Sequence, residues 1–338
     1  MSKITKFSKT YKNLLDIKSD FYNNNKNNLK NSLKINRSYK KQPLRIGCKN
    51  CGSKKIKSFI KSFGIPYKLC FLCGHLNGAY QDTDNFAKKL YNDSEGKNYS
   101  KNYLKDFNSR VKHIYTPKVE FLQKVIKNKI KLIDLGCGAG HFVRALEIKN
   151  ISAIGYDTSK DLCQLGNRKL KKNKIYPKKF KEIYEIINKN TDANTLSMIG
   201  VLEHLTEPDK IMLSFKKSKI KYLYISVPLF SLSTFIENSF SKVFPRQLSS
   251  GHTHLYTENS LNYLAKKYNL KIIGEYWFGT DMPDLMRSII CTSKTLNKEI
   301  YMQELNNKFS KFIDELQSVL DKNKICSEVH MIFENKNI

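Results

Sequence analysis

The chain contains little arginine, a single tryptophan and no long hydrophobic run. Only seven of its 60 basic residues are arginine, and they stand against 30 acidic residues, for a formal charge of +30. Proteins that read phosphates and bases usually use the bidentate guanidinium group of arginine. A composition rich in Lys, Asn and Ile is also typical of an AT-rich genome. The charge alone therefore does not predict a nucleic-acid-binding protein.

The sequence also lacks the segments that would place the chain in a membrane or a secretory pathway. Its longest apolar stretch, "YLYISVPLFSLSTFI", is shorter than a bilayer span and is interrupted by Pro228 and by serines. The first residues, "MSKITKFSKTYKN", contain no apolar segment followed by a small-residue cleavage site. We therefore expect a soluble, cytoplasmic protein with no membrane span.

From residue 130 onward, short apolar runs alternate with segments of helical length. This alternation predicts an α/β fold in which a mostly parallel sheet is covered by helices on both faces. A helical insertion is predicted near 281–322, before the last strand. The predicted strands are "KLIDL" (131–135), "SAIGYD" (152–157), "LSMIGV" (196–201), "YLYISVP" (222–228), "KIIGEYW" (271–277) and "VHMIF" (329–333).

Four of the eight cysteines form two pairs with metal-binding spacing. Cys48, Cys51, Cys70 and Cys73 read C-x2-C-x18-C-x2-C, and each pair is followed by a glycine that eases a tight turn. Four thiolates leave no open coordination position, so the pattern predicts a structural Zn²⁺ site. His75 is the alternative ligand. The other four cysteines are scattered, which indicates reduced thiols rather than a disulfide framework.

These features divide the chain into four segments. Residues 1–45 carry twelve basic and two acidic residues and a low-complexity "NNNKNN" run, so we expect poor order there, with one helix at most from the spacing of Phe7, Tyr11, Leu14 and Leu15. A zinc-binding module follows at 46–80 and an aromatic-rich helical connector at 81–129. The α/β domain occupies 130–338.

A glycine loop follows the first strand of that domain, at the edge of the sheet where parallel folds bind their ligands. It reads "DLGCGAG", in which Asp134 ends the strand and Gly136, Gly138 and Gly140 form the turn. Glycine is needed where the backbone takes a positive φ or where a ligand touches the chain. The spacing G-x-G-x-G is not the G-x-G-x-x-G of a pyrophosphate loop, and taken alone it fits a structural turn or another nucleotide site equally well.

Further segments favour a ligand-binding site at this loop. Asp157 ends the second strand, 21 positions after Gly136, where a carboxylate can accept both hydroxyls of a ribose. The loop resembles the first motif of the class I S-adenosylmethionine-dependent methyltransferases. "GVLEHLTEPD", "YISVP" and "HTHLYTENSLNYLAKKYNLKII" are similar to later segments of the branch that contains ubiquinone-biosynthesis and sugar methyltransferases. Many relatives have an Asp at the start of the strand that corresponds to "LSMIGV", whereas this chain has Asn194 there. Asp192 is the alternative candidate for the role of that Asp.

The resemblance implies a Rossmann-like, seven-stranded class I methyltransferase sheet with a small N-terminal zinc-binding module. It also implies that S-adenosylmethionine is bound by side chains and backbone at the ends of the strands "KLIDL", "SAIGYD" and "LSMIGV". These residues are Asp134, Gly136, Cys137, Gly138, Gly140, Asp157, Thr158, Val201, Leu202, Glu203 and His204.

A candidate for the catalytic base follows the strand "YLYISVP" (222–228), in "SGHTHLYTE". His254, His252 and Tyr256 lie there, and an acceptor that holds its proton at neutral pH needs such a base. Tyr99 and Tyr103 are candidates for closing over the cofactor. A structural role is the alternative for each of these side chains.

The order of zinc module, tyrosine-rich connector and methyltransferase core resembles the sugar C-methyltransferases and their relatives in polysaccharide and deoxysugar gene clusters. This resemblance implies a sugar or glycan acceptor. In related enzymes a Glu precedes the catalytic His, whereas Thr253 precedes His254 here, so both carbon and oxygen methylation remain open. The alternatives are an RNA or protein methyltransferase that uses the zinc module and basic segment for binding, and a noncatalytic binding protein.

Overall fold

The computed structural model describes residues 2–11, 17, 24–92, 106–190, 192–248 and 251–338. Within them, one large sheet and one small sheet account for the strands. The predicted cofactor-closing residues Tyr99 and Tyr103 lie outside the described residues, as do Leu14 and Leu15. In the described part of the chain, no helix combines the length and the apolar character that crossing a membrane requires.

The large sheet has eight strands in the described residues, in the order β1-β11-β12-β9-β8-β5-β6-β7. Neighbouring strands are parallel except β12, which runs antiparallel to both β11 and β9. The middle strands are apolar on both faces because helices cover both. The strands are β1 (Ile4–Phe7), β5 (Lys131–Leu135), β6 (Ser152–Asp157), β7 (Ile175–Pro177), β8 (Thr195–Ile199), β9 (Tyr222–Pro228), β11 (Leu270–Phe278) and β12 (Glu328–Asn335).

Helices connect these strands, and several begin at side-chain caps that the sequence supplies. Ser159 accepts a hydrogen bond from the Leu162 amide, and Thr257 and Ser260 cap each other's backbone. Within the domain the helices are His141–Ile148, Lys160–Leu170, Phe180–Lys189, Pro208–Lys217, Leu232–Ser239, Glu258–Lys267, Asp281–Thr292 and Lys298–Lys322, with a 3₁₀ turn at Leu202–His204. The pair at Asp281–Thr292 and Lys298–Lys322 lies where the helical insertion is predicted.

The small sheet joins the cysteine-rich module to the large domain. Its order is β10-β4-β3-β2, with β2 at Ile56–Ser62, β3 at Ile65–Cys70, β4 at Leu76–Gly78 and β10 at His254–Leu255. β10 belongs to the segment that follows β9 of the predicted domain, and it pairs antiparallel with β4. The module predicted at 46–80 therefore shares its sheet with the methyltransferase region, which places the two side by side.

The described residues of the basic segment 1–45 include one strand and one helix. Ile4–Phe7 forms β1, which pairs in parallel with the edge strand β11, and a helix spans Asn25–Tyr39. The physical reason is that β11 presents an open row of backbone donors and acceptors, and a short β-prone segment satisfies them. Phe7 ends this strand rather than lying in a helix. Charge counting alone does not detect such an edge.

The connector is helical in its described residues. It contains helices at Asp84–Asn92, Phe107–Arg110 and Thr116–Val125, with a π-helical turn at Val111–Tyr115 between the last two. Phe86 of the first helix packs in the same small core as Tyr39 and Leu255. The first helix of the connector therefore packs on the core of the small sheet.

Candidate active site

The glycine loop leaves β5 with three residues in the left-handed region. The φ angles are +64° at Gly136, +54° at Gly138 and +75° at Gly140. A Cβ at Gly136 would lie 2.5 Å from Val201 Cγ2, and one at Gly140 would lie 2.1 Å from Ile175 Cδ1, whereas one at Gly138 would meet no described atom within 4 Å. Gly136 and Gly140 are therefore required by packing, while Gly138 leaves bare backbone facing open space.

Asp134, the residue before the last in β5, is buried. Its Oδ1 accepts a hydrogen bond of 2.6 Å from the Ser197 hydroxyl, which comes from the neighbouring strand β8. Burial raises the pKa of Asp134 to about 7, because water no longer stabilises the ionised form. A cationic group beside this carboxylate would favour its charged state.

Asp157, at the end of β6, holds the glycine loop in place. Its Oδ2 accepts from the Gly138 amide and its Oδ1 from the Ser159 amide, each at 2.8 Å. Burial raises its pKa, and these amide hydrogen bonds oppose the rise. Thr158 is exposed beside it. Cys137, also in the loop, is half-buried, and burial raises the pKa of its thiol. The structure thus brings together the predicted residues from the first two strands.

The loop after β8 contributes apolar and ionisable groups to the same edge. Val201 and Leu202 are buried, and Val201 packs against Gly136. Glu203 is 3% exposed, and burial raises its pKa to about 8. His204 donates from Nδ1 to the Gly251 carbonyl at 2.9 Å. The structure therefore places His204 against the loop that precedes the candidate catalytic histidines.

Those histidines divide into two environments. His252 lies with its ring centroid 5.1 Å from that of His204, and its Nδ1 donates to the Gln247 carbonyl at 3.0 Å. His254 is fully buried in β10, where its Nδ1 lies 2.8 Å from His75 Nε2. Burial lowers the pKa of His252 to about 4 and that of His254 well below its usual value.

Tyr256 follows His254 into the interior. It is 1% exposed, and its ring packs edge-on against those of His75 and His254. Burial raises the pKa of its phenol well above the ordinary value. The structure therefore groups His252 with Glu203 and His204. His254 and Tyr256 lie apart from them, where the small sheet contacts the large domain.

Lys118 and Glu328 at this edge are not singled out by the sequence. Lys118 Nζ lies 3.7 Å from Glu328 Oε1, and His330 Nε2 lies 2.9 Å from the same oxygen. Glu328 is in register with Pro228 and Phe278, the last residues of β9 and β11. Because β12 is antiparallel, its first residue lies at the carboxyl edge of the others. Recognising the last strand as antiparallel is the signal that locates Glu328.

A small pocket that opens to solvent, with room for about one water molecule, lies between the helix Asp84–Asn92 and the turn at Leu202–His204, and we call it the groove. Its lining combines polar and apolar side chains. Asp82, on one wall, accepts hydrogen bonds from Arg45 at 2.8 Å and from Lys49 at 2.6 Å. The lining includes Asp82, Phe86, Leu90, Glu203, His204 and Thr253.

The four paired cysteines converge at the base of the small sheet. Cys48 Sγ lies 3.7 Å from Cys73 Sγ, and Cys51 Sγ lies 3.6 Å from Cys70 Sγ. Tetrahedral zinc at about 2.3 Å from each sulfur separates sulfurs by about 3.8 Å, so the spacing fits zinc. His75, the alternative ligand, instead contacts His254. The Asn77 amide donates to Cys48 Sγ at 3.5 Å.

Asn194 lies at the edge of the large sheet opposite the glycine loop. Its side-chain oxygen accepts from the Lys131 amide at 3.1 Å, and its amide donates to the Lys129 carbonyl at 2.7 Å. Lys131 is the first residue of β5. Asn194 therefore joins the starts of two strands, at a distance from the carboxyl edge.

Comparison with known proteins gives relatives of low sequence identity. An uncharacterized protein of Methanocaldococcus jannaschii is 22% identical over 265 residues, 71% of this chain and 94% of that protein. A solved S-adenosylmethionine-dependent methyltransferase of Archaeoglobus fulgidus shares 17% identity over 65% of this chain and 92% of its own, with a TM-score of 0.41. The magnesium protoporphyrin IX methyltransferase of Synechocystis, solved with S-adenosylhomocysteine, shares 10% identity over 75% and 100%, with a TM-score of 0.48.

A family model, described as a methyltransferase domain, matches residues 107–275, half of the chain. The match spans the glycine loop, both strand-end aspartates and the turn at Leu202–His204. The predicted α/β fold with a mostly parallel sheet is confirmed by the structure. The chain therefore belongs to the methyltransferase domain family and is a class I S-adenosylmethionine-dependent methyltransferase.

Proposed function

We propose that this enzyme methylates a hydroxyl oxygen of a sugar, either nucleotide-linked or part of a surface polysaccharide. The observation that supports the proposal is the lining of the groove between the helix Asp84–Asn92 and the turn at Leu202–His204, which has room for a single hydroxyl group of an acceptor. Phe86 and Leu90 offer an apolar wall, while Asp82, Glu203 and Thr253 offer polar atoms. A sugar presents apolar C–H faces and a rim of hydroxyls, and such a lining matches both.

The cofactor is assigned to the adjacent glycine loop. Asp134 is a buried carboxylate suited to a cationic ligand, and bare backbone at Gly138 allows close approach. Asp157 would accept ribose hydroxyls while it keeps the loop in shape. When bound, S-adenosylmethionine supplies an electrophilic methyl group on a sulfonium. The chain's own residues hold the acceptor, align it and exclude water.

The position of His254 favours oxygen over carbon methylation. This side chain is fully buried against His75 and forms part of the small sheet. Glu203, His204 and His252, which we call the acceptor cluster, lie beside the groove instead. We propose that this cluster binds the acceptor hydroxyl and that the hydroxyl loses its proton there. His254 and Tyr256 then position the zinc module against the domain.

Zinc is assigned a structural role. The four cysteine ligands would close a tetrahedral site, so the metal would bind no substrate. The module's sheet is completed by β10, whose neighbours in sequence include His252 and Thr253. Zinc would thereby fix the loop that carries part of the acceptor cluster.

An RNA or protein methyltransferase is the alternative. It is less favoured because cations near the groove are engaged with acidic partners. Arg45 and Lys49 both contact Asp82, and Lys118 contacts Glu328. Phosphate binding would require cations directed at the ligand. A nucleic-acid substrate would therefore need a surface other than this groove.

The test is methyl transfer from labelled S-adenosylmethionine to a panel of nucleotide sugars, with tRNA and protein as competing acceptors. We expect label in a sugar methyl ether, and a loss of about 100-fold or more in kcat/KM for Glu203→Gln. Glu207→Gln is the matched control, since Glu207 is an exposed neighbour paired with Lys210. Transfer only to RNA or protein would contradict the proposal.

A further inference from the structure

The acceptor cluster has the composition of a metal site distinct from the four cysteines. Glu203, His204 and His252 each offer one ligand atom, and these atoms lie within 4.8 Å of one another. His204 Nε2 is 3.8 Å from Glu203 Oε1. Three side chains from two separate loops thus converge on one point, which a single cation can occupy.

The two histidines are oriented as metal ligands commonly are. His204 directs Nδ1 at the Gly251 carbonyl at 2.9 Å, and His252 directs Nδ1 at the Gln247 carbonyl at 3.0 Å. A carbonyl oxygen only accepts, so Nδ1 carries the proton in each ring. A neutral imidazole with its proton on Nδ1 has its lone pair on Nε2, which is the atom that ligates a metal. The backbone therefore selects the ligating tautomer of both rings.

Glu203 supplies an independent observation. The residue is 3% exposed, and its Oε2 has no hydrogen-bond partner among the described residues. A buried carboxylate oxygen without a partner is costly unless a cation or donor compensates it. The unsatisfied atom belongs to the same side chain that faces His204. A bound cation would compensate this charge.

We propose that Glu203, His204 and His252 bind one first-row divalent cation such as Mn²⁺. Two imidazole nitrogens and one carboxylate suit such metals, and three protein ligands leave open positions. Thiolates select zinc at the other site, so the two sites differ in metal preference. The cation site itself is independent of the acceptor's identity.

The open positions would take a hydroxyl oxygen of the acceptor, a role that rests on the proposed function. Glu203 and His204 both line the groove assigned to the sugar. A hydroxyl bound to the cation becomes more acidic. Its O–H bond would break, the proton would pass to a solvent water at the open side of the groove, and the electron pair would stay on the oxygen. The cluster would thus prepare the nucleophile through the metal.

The test measures Mn²⁺ binding to the full-length, zinc-loaded protein. Binding is monitored as the loss of the electron paramagnetic resonance signal of the free ion. We expect one Mn²⁺ per chain, and affinity weakened about tenfold or more in His252→Gln and in Glu203→Gln. His113→Gln, at a histidine outside the cluster, should bind as the wild type does. Circular dichroism of each variant establishes that it is folded.

Two results would overturn the site: no bound Mn²⁺ at millimolar concentration, or equal affinity in all variants. Either can occur while sugar methylation persists, which would leave the proposed function standing. Conversely, Mn²⁺ binding with transfer only to RNA would retain the site and contradict the sugar acceptor. The two proposals therefore fail separately.

Discussion

Replacing Gly138 by alanine separates cofactor binding from folding. Gly138 has a φ of +54°, and a Cβ there would meet no described atom within 4 Å. An L-residue in this region costs about 1–2 kcal/mol of stability, and no packing clash adds to it. The new methyl group would, however, project into the space assigned to the cofactor.

We therefore expect Gly138→Ala to lower the free energy of unfolding by about 1–2 kcal/mol. We expect it to weaken S-adenosylmethionine binding about tenfold or more, equivalent to about 1.4 kcal/mol or more. Denaturant titration measures the first quantity and isothermal calorimetry the second.

Gly64→Ala is the matched control. Gly64 has a φ of +80° in the turn between β2 and β3, and its Cβ would approach Lys40 Nζ at 2.9 Å, the mobile end of a side chain. Its stability cost should be similar and its cofactor affinity unchanged. Wild-type affinity in Gly138→Ala, or an equal loss in both variants, would refute the assignment of the loop.

Three further predictions concern other parts of the structure. Burial raises the pKa of Asp134 to about 7. Because a cationic cofactor needs the ionised form of Asp134, the affinity of the protein for S-adenosylmethionine should fall as the pH drops below about 7. Calorimetry of Asp134→Asn should show weaker binding without that pH dependence. Cys70→Ser should lose zinc by elemental analysis and lower the melting temperature, whereas retained zinc would contradict the four-thiolate site. Arg246→Ala removes the 2.8 Å ion-pair partner of buried Asp284 and leaves Arg287 Nε at 3.4 Å, so it should cost about 1.5–3 kcal/mol in denaturant titration, against less than about 0.5 kcal/mol for exposed Lys189→Ala.

The strands and the glycine loop could be predicted because their signals are local. Apolar runs bounded by polar turns located β5, β6, β9 and β11 to within a residue. The glycines of the loop take the positive φ angles that the spacing implies. Such features depend on a few adjacent residues, which the sequence displays directly.

The pairing of β1 with β11 and of β10 with β4 could not be predicted in the same way. These are long-range contacts between short segments, and neither segment has a strong pattern of its own. The pairing of β10 with β4 decides which histidine lies beside the groove. His252 and His254 are two positions apart, yet one faces His204 and the other faces His75.

The central claim is that the chain methylates a sugar hydroxyl, and mass spectrometry of nucleotide sugars and surface glycans tests it most directly. Cells with and without the gene should differ in one O-methylated sugar, which the wild-type chain restores and Glu203→Gln does not. Unchanged sugars, together with the loss of a methyl group from an RNA or a protein, would contradict the account.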